Sequence, residues 1–123
     1  MKAHDIRALM SGPPQWTTGN GEASFWIPEK FNQGMIWVGR FSGQSPWERH
    51  PDGDELLHVL EGQVEVTVLN EHGPVSTSVA AGCVFVVPRG LWHRQLAREA
   101  ATQFGATPGR TEHSTAEDPL AGG

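Results

Sequence analysis

The chain has 123 residues, which suits one domain with one core, and its hydrophobic fraction of 37% is enough to build that core. The formal net charge of -5 argues against nucleic acid and anionic membranes as partners, because both attract basic surfaces. The single cysteine, Cys83, cannot form an internal disulfide, and the first residues lack the apolar stretch of a signal peptide, so we expect a cytoplasmic protein.

Residues 1–33 are weakly patterned and are interpreted as an N-terminal arm. Their opening, MKAHDIRALM, is compatible with a short helix. The stretch TTGNGEASFWIPEK predicts a turn and then a short strand. Pro28 is expected to end that strand, because proline cannot donate to a strand ladder.

Patterning sharpens between residues 34 and 107, where it predicts six to eight short strands and almost no helix. In QVEVTVL, for example, Val64, Val66 and Val68 share one face. The other strand candidates are GMIWVGRF, ELLHVL, VSTSVA, CVFVVP, HRQLA and ATQFGAT. Many short strands separated by turns indicate a sandwich or a small barrel. Residues 108–123 form a polar tail that we expect to be loosely held or draped on the surface.

Two segments place polar side chains at the mouth of apolar strands, WERHPDGDELLHVLEG and GCVFVVPRGLWH. Residues two apart in a strand face the same way, so Glu48 and His50 share a face if that segment is extended. The turn PDGD can then bring His50 back toward Glu55, and His93 ends the second segment. Two imidazoles and one carboxylate form a ligand set that suits iron, manganese, nickel, copper or zinc.

The spacing within both segments resembles the paired motifs of the cupin superfamily, over about residues 34–106. The first motif, G(X)5HXH(X)3-4E(X)6G, is matched at its second histidine and beyond by His50, Glu55 and Gly62. The second motif, G(X)5PXG(X)2H(X)3N, is matched by Gly82, Pro88, Gly90 and His93. The opening glycine, the first histidine and the closing asparagine of the motifs are replaced by Ser42, Glu48 and Ala97.

The resemblance implies an all-β fold, a double-stranded β-helix or jelly-roll barrel (RmlC-like cupin), at residues 34–107 of a small single-domain protein. It also implies a divalent transition metal (Fe, Mn, Ni, Cu or Zn) held by His50, Glu55 and His93. Glu48 is then a fourth ligand, a general base or an exposed carboxylate on an edge strand. A metal-free cupin with a satisfied polar cluster is the alternative reading of the whole site.

These features predict a small metalloenzyme that acts on a small organic acid or carbonyl compound, such as a mononuclear metal-dependent dioxygenase, an isomerase or a decarboxylase. The alternative is a non-catalytic cupin that binds or senses a small molecule. A metal-free, sugar-modifying cupin would need a catalytic histidine and tyrosine, and the chain has no tyrosine. Small cupins often pair by lending an N-terminal strand, which EASFWIPEKF suits, so we expect a homodimer.

Three other residues are interpreted without a functional role. His58 lies three positions after Glu55, so alternation sends it to the opposite face. His113 lies in the weakly patterned tail and gives no signal. Cys83 begins CVFVVP, which reads as a buried strand, so we expect it to be a small core residue.

Overall fold

The chain folds into one short helix and ten strands, in a computed structural model that describes residues 1–18 and 21–120. The elements are α1 (Ile6–Met10), β1 (Trp16–Thr17), β2 (Ala23–Phe31), β3 (Gly34–Gln44), β4 (Trp47–Arg49), β5 (Glu55–Glu61), β6 (Gln63–Asn70), β7 (Gly73–Ala80), β8 (Val84–Val87), β9 (His93–Thr107) and β10 (Glu112–Ser114). The predicted all-β class is confirmed. Residues 19–20 of a predicted turn and residues 121–123 of the predicted tail lie outside the described residues.

The longest strand, β9, lies at the centre of one ten-stranded antiparallel sheet that curls into a barrel. β4 and β6 pair with its first residues, β5 pairs with residues 102–106, and β3 pairs along residues 96–107. The main strand order is β1-β2-β3-β9-β4-β10, while β5 with β8 and β6 with β7 join the sheet through β9. The first residue of β9, His93, and its last residue, Thr107, both reach Glu55 at one end of the barrel.

The prediction of two separate strands, HRQLA and ATQFGAT, was wrong, since both belong to β9. The register between β3 and β9 shifts between Phe41 and Gly43, opposite the exposed residues 98–100. An irregularity of this kind bends a strand without ending it. Residues 98–100 interrupt the apolar pattern because they form the exposed outside of the bend.

The barrel interior is filled by the inward-facing side chains of the curled sheet. β6 shows the predicted alternation, with three valines buried on its inner face. The buried apolar cluster comprises Trp37, Phe41, Leu57, Val59, Val64, Val66, Val68, Val79, Val87, Ala97 and Ala101. Trp37 depends on a glycine across the sheet, since a Cβ on its register partner Gly105 would lie 2.2 Å from the indole ring. Gly105 therefore gives the largest core side chain its place against β9.

Pro28 does not end its strand, contrary to the prediction. β2 continues to Phe31, and its register with β3 shifts between Trp26 and Glu29. Pro28 lies inside this irregularity, where the ladder does not need an N–H donor. The strand therefore tolerates the proline.

The prediction that Cys83 begins a buried strand was also wrong. Cys83 is exposed, and Val84 and Val86 of β8 are 63% and 52% exposed. Among the described strands, β8 pairs only with β5, so it forms the edge of its sheet and turns one face to solvent. A continuous apolar run therefore did not mean burial on both faces.

Both ends of the chain pack on the barrel. β2 pairs with β3 of the same chain, so strand exchange between two copies, and with it the homodimer, stays a prediction. The described part of the polar tail is draped over the barrel, as one of the two expectations had it: residues 112–114 form β10 on β4, and the carbonyl of Glu117 accepts a hydrogen bond from Trp47. Within residues 1–18 and 21–120, no helix is long and apolar enough to cross a membrane.

Adjacent leucines of β5 allow a matched test of this burial pattern. Leu57 is 0% exposed and Leu56 is 38% exposed. Leu57→Ala is expected to lower the free energy of unfolding by about 2–5 kcal/mol, because it removes buried apolar atoms and leaves a cavity. Leu56→Ala, on the outer face, is expected to cost less than about 1 kcal/mol. Urea denaturation of both variants measures the difference, and equal losses would contradict the assigned faces.

Candidate metal centre

Four metal-competent side chains meet at the end of the barrel where β4, β5 and β9 converge. Glu48 in β4 is the register partner of His93, the first residue of β9. His50 follows β4 by one residue, and Glu55 is the first residue of β5. Ligand atoms of Glu48, His50 and His93 lie within 4.8 Å of one another, and Glu55 contacts both histidines. The structure therefore brings together all four residues singled out from the sequence.

The acidic turn of residues 51–54 is held by hydrogen bonds to two other segments of the chain. Asp54 accepts a hydrogen bond from the backbone N–H of Arg89 at 2.8 Å. Asp52 accepts one from the backbone N–H of Arg110 at 2.9 Å. These two carboxylates hold the chain reversal, so the next carboxylate along the chain is free to face inward.

That inward carboxylate, Glu55, lies between the two imidazoles. Its Oε2 is 3.1 Å from Nε2 of His50, and its Oε1 is 3.2 Å from Nε2 of His93. All three side chains are almost completely buried. Within the described part of the chain, neither Nε2 atom has a hydrogen-bond partner, so these close approaches lack the alignment of hydrogen bonds.

The other nitrogen of each ring fixes which atom faces Glu55. Nδ1 of His93 lies 3.3 Å from the carbonyl oxygen of Leu91, and a carbonyl can only accept, so Nδ1 carries the proton. Nδ1 of His50 lies 3.0 Å from Oγ1 of Thr111, which can accept in the same way. In the neutral rings, both Nε2 atoms then direct lone pairs at the carboxylate.

Glu55 is oriented by residues inside the barrel. The indole N–H of Trp37 donates to Oγ1 of Thr107 at 2.8 Å. Because indole can only donate, the hydroxyl of Thr107 uses its own proton for Oε2 of Glu55. The Trp37–Thr107 pair thus fixes the carboxylate in the plane that faces both histidines.

Glu48 differs from Glu55 because it keeps contact with solvent. Its side chain is 31% exposed, and its Oε1 lies 3.3 Å from Nε2 of His113. Burial, and then the negative charge of Glu55, raise the pKa of Glu48 above its ordinary value, against the opposing effect of the nearby histidines. Glu48 is therefore the carboxyl group of the site that takes up a proton most readily.

The pKa values of the two fully buried groups, Glu55 and His93, shift in opposite directions. Burial opposes the ionisation of Glu55, but its contacts with His50 and His93 outweigh this and lower its pKa to about 2. Burial likewise opposes the imidazolium of His93, but Glu55 and Glu48 outweigh it and raise the pKa of His93. In the metal-free site, the imidazole of His93 therefore keeps its proton to a higher pH than usual.

The donor set fits a metal ion. A lone pair and a carboxylate oxygen repel each other at 3.1 Å unless a positive charge, either a proton or a metal ion, lies between them. Ligand atoms about 2.1 Å from a common ion and at right angles lie about 3.0 Å apart, close to the two separations seen here. Two imidazole nitrogens and carboxylate oxygens are ligands that first-row transition metals accept.

Contacts at the site include residues that the sequence did not indicate. Thr107, Thr111 and His113 each touch one of the four site residues, although they lie 52, 61 and 65 positions away from the residue that they touch. Their polar side chains carry no motif, so spacing alone could not find them. His58 is half-buried on the alternate face of β5, as expected.

The geometry defines a small β-barrel protein with a candidate metal centre at one end. The family model described as "Cupin domain" matches residues 40–101, half of the chain, and the chain therefore belongs to the cupin family. The solved cupin-2 domain protein from Shewanella frigidimarina has a TM-score of 0.67 and 20% identity, and the match covers 85% of this chain and 93% of that chain. The predicted jelly-roll barrel is confirmed.

Curated relatives match over shorter stretches. Germin-like protein 1-1 of Oryza sativa subsp. japonica is 46% identical over 57 residues, which are 46% of this chain and 26% of that protein. YdbB of Bacillus subtilis (strain 168) is 33% identical over 72 residues, which are 58% of this chain and 60% of YdbB. The chain thus spans about a quarter of the first relative's length and three fifths of the second's.

A further structural likeness is to oxalate decarboxylase of Bacillus subtilis, a protein with Mn(II) centres. The TM-score is 0.70 at 14% identity, and the match covers 85% of this chain and 30% of that chain. At this identity the likeness concerns the fold.

The lowered pKa of Glu55 makes the stability of the metal-free protein depend on pH. A carboxyl whose pKa falls from 4.5 to about 2 on folding stabilises the fold above pH 4.5, and this is lost as the pH falls toward 2. The raised pKa of His93 contributes below its ordinary value of 6.5 and is lost as the pH rises through its folded pKa. Both contributions are therefore present between pH 4.5 and 6.5.

Glu55→Gln is expected to lower the free energy of unfolding most within that window, by an amount on the order of 3 kcal/mol, and the loss should shrink toward pH 2. Urea denaturation of chelator-treated protein at a series of pH values measures it. Glu61→Gln, at the exposed end of the same strand, is the control and should show no such maximum. A pH-independent difference between wild type and Glu55→Gln would contradict the assigned charge pair.

Proposed function

We propose that this chain is a metal-binding cupin that holds one divalent transition metal through His50, Glu55 and His93, with Glu48 as a fourth ligand. The observation that carries the proposal is the pair of buried Nε2 atoms that face Glu55 without hydrogen bonds. A cluster kept only for structure would satisfy its buried nitrogens, because an unsatisfied buried polar atom costs about 1–3 kcal/mol. In the metal-free alternative, only a proton held between an imidazole and Glu55 would offset that cost.

The ligand types favour some metals over others. Two carboxylates beside two imidazoles form a harder set than three imidazoles with one carboxylate, which supports manganese or iron within the range Fe, Mn, Ni, Cu and Zn. The structural neighbour with Mn(II) centres makes Mn²⁺ the first ion to test.

We assign the centre to a small organic acid or carbonyl compound as substrate, in a reaction of the oxygenase, isomerase or decarboxylase type. When bound, the metal would supply a Lewis acid that polarises a substrate oxygen or activates dioxygen. Leu57 and Val66 belong to the fully buried apolar cluster inside the barrel, and we propose that they form the apolar wall on which the substrate would lie. Because the fold resembles that of oxalate decarboxylase, oxalate is the first substrate to test.

Where Glu48 does not bind the metal, it is the residue that we assign to proton transfer. It is the site carboxyl group with a raised pKa and with solvent contact, so it can accept a proton from a bound acid and exchange it with water. Glu55, whose pKa is lowered to about 2, stays ionised and serves as an anchor. The two carboxylates thus have different roles because their surroundings differ.

A non-catalytic binding or sensing role is the second candidate. It is favoured by the closure of the site, since His50, Glu55 and His93 are almost completely buried under the C-terminal segment. Turnover separates the two candidates: a sensor would bind metal and a small acid but release that acid unchanged.

Metal content is the first test of the proposal. Wild type, loaded with Mn²⁺ and freed of excess, is expected to retain about one ion per chain by elemental analysis. His93→Ala removes a buried ligand and should retain less than about a tenth of that amount. His58→Ala, on the alternate face of β5, is the matched control and should retain the wild-type amount. Metal-free wild type after loading with each of the five candidate ions would refute the proposal.

Glu48→Gln tests the role of the partly exposed carboxylate. The change keeps the shape but removes the charge and the basic oxygen. Turnover of any substrate found is expected to fall by about 100-fold or more, as for loss of a general base, while metal affinity falls by only about tenfold. Full turnover in Glu48→Gln with intact metal content would contradict the assigned role.

A further inference from the structure

The segment of residues 107–117, here called the C-terminal strap, runs across the barrel end that carries the metal centre. Its strand β10 pairs with β4 in antiparallel register, with His113 opposite Glu48. Further along, the carbonyl oxygen of Glu117 accepts a hydrogen bond from the indole N–H of Trp47 at 3.1 Å. The strap is therefore attached to the strand that carries part of the site.

Backbone contacts hold the strap on its other side as well. The N–H of Gly109 donates to the carbonyl of Gln33 at 3.1 Å, and the N–H of Arg110 donates to Asp52 at 2.9 Å. Gly109 has a φ of +48°, and a Cβ there would lie 2.3 Å from Oδ2 of Asp52, so only glycine fits. Thr111 follows Arg110 and precedes β10, so the chain is held on both sides of Thr111.

Thr111 uses this fixed position to contact His50. Its Oγ1 lies 3.0 Å from Nδ1 of that ring. A ring that binds a metal through Nε2 carries its proton on Nδ1, and this proton then has Thr111 as its acceptor. Loss of the hydroxyl would leave a buried N–H without a partner and would free the ring to rotate.

His113 makes the corresponding contact with Glu48. Its Nε2 lies 3.3 Å from Oε1 of Glu48, and its own side chain is 58% exposed. An exposed imidazole adds little to the stability of a fold. Its contact with a site carboxylate is therefore better explained by what it does to that carboxylate.

We infer that the C-terminal strap is part of the metal centre: Thr111 and His113 are positioning residues that hold His50 and Glu48 in the geometry for metal binding. The inference rests on the proposed metal site. Anchoring of the strap itself needs only the β10–β4 pairing and the backbone contacts already described. The two side-chain contacts are additional, and both end on residues of the metal centre.

Thr111→Val tests the first contact, because valine keeps the shape of threonine but cannot accept a hydrogen bond. Titration of the full chain with Co²⁺, followed by visible absorption, is expected to show a Kd raised by about 10- to 100-fold and shifted absorption bands. Thr111→Ser retains the hydroxyl and should restore the Kd to within about threefold of wild type. Thr77→Val, on an exposed face of β7, is the matched control and should leave both readouts unchanged.

His113→Ala tests the second contact and, because the side chain is exposed, is expected to fold normally. It should raise the Kd for Co²⁺ by about 3- to 10-fold and change the absorption bands, as expected when a ligand loses its support. His72→Ala, in the exposed turn before β7, is its control. If Thr111→Val fails to unfold cooperatively, His113→Ala alone decides.

The outcomes separate the two proposals. A wild type that does not bind Co²⁺ or Mn²⁺ refutes the metal site and, with it, this inference. A wild type that binds metal, beside folded variants whose Kd and absorption bands equal the wild-type values, refutes only the role of the strap. A lower free energy of unfolding in Thr111→Val with an unchanged Kd would show that the hydroxyl serves stability alone, and this too would overturn the inference.

Discussion

A carboxylate buried between two imidazoles is the interaction on which the rest of this barrel end depends. Glu55 is almost completely buried, and a charge in that position destabilises the fold by several kcal/mol unless its surroundings compensate it. His50 and His93 provide the compensation from two different elements, one after β4 and one at the start of β9. The acidic turn after His50 and the bend in β9 can both be understood as the geometry that brings these rings to one carboxylate.

The same arrangement would serve both the metal-free protein and the proposed metal-bound one. Although burial opposes its charge, Glu55 raises the pKa of His93, so in the metal-free protein this ring keeps its proton to a higher pH than usual. A divalent ion would replace this proton with a stronger positive charge, and metal binding would then be coupled to proton release. The barrel wall does not need to rearrange for this exchange, because Trp37 and Thr107 already orient the carboxylate. A preformed site of this kind lowers the ordering cost of binding.

Local pattern predicted much of this structure. Period-two alternation identified the inner face of β6, because side-chain direction in a strand depends on position along it. Motif spacing grouped His50, Glu55 and His93, which the structure brings into contact.

Other features depended on relations between distant segments. The neighbouring strands decide whether β8 lies at an edge of the sheet. They also decide whether the exposed residues 98–100 end a strand or bend it. The contact from Thr111 to His50 spans 61 positions, and its residue types are ordinary for a polar tail. Only the fold reveals that the tail returns to the site.

The replacement of the first motif histidine by Glu48 has a consequence for the charge of the centre. With Glu48 and Glu55 both ionised, a divalent ion would be fully neutralised by the protein, and a further anionic ligand would bind against net negative charge. Protonation of Glu48 would remove this obstacle, and burial together with the charge of Glu55 raises the pKa of Glu48 in that direction. If the substrate is the organic acid proposed above, its anion should therefore bind together with a proton on Glu48. The substitution would then couple the uptake of an acid to a carboxyl group that retains contact with solvent.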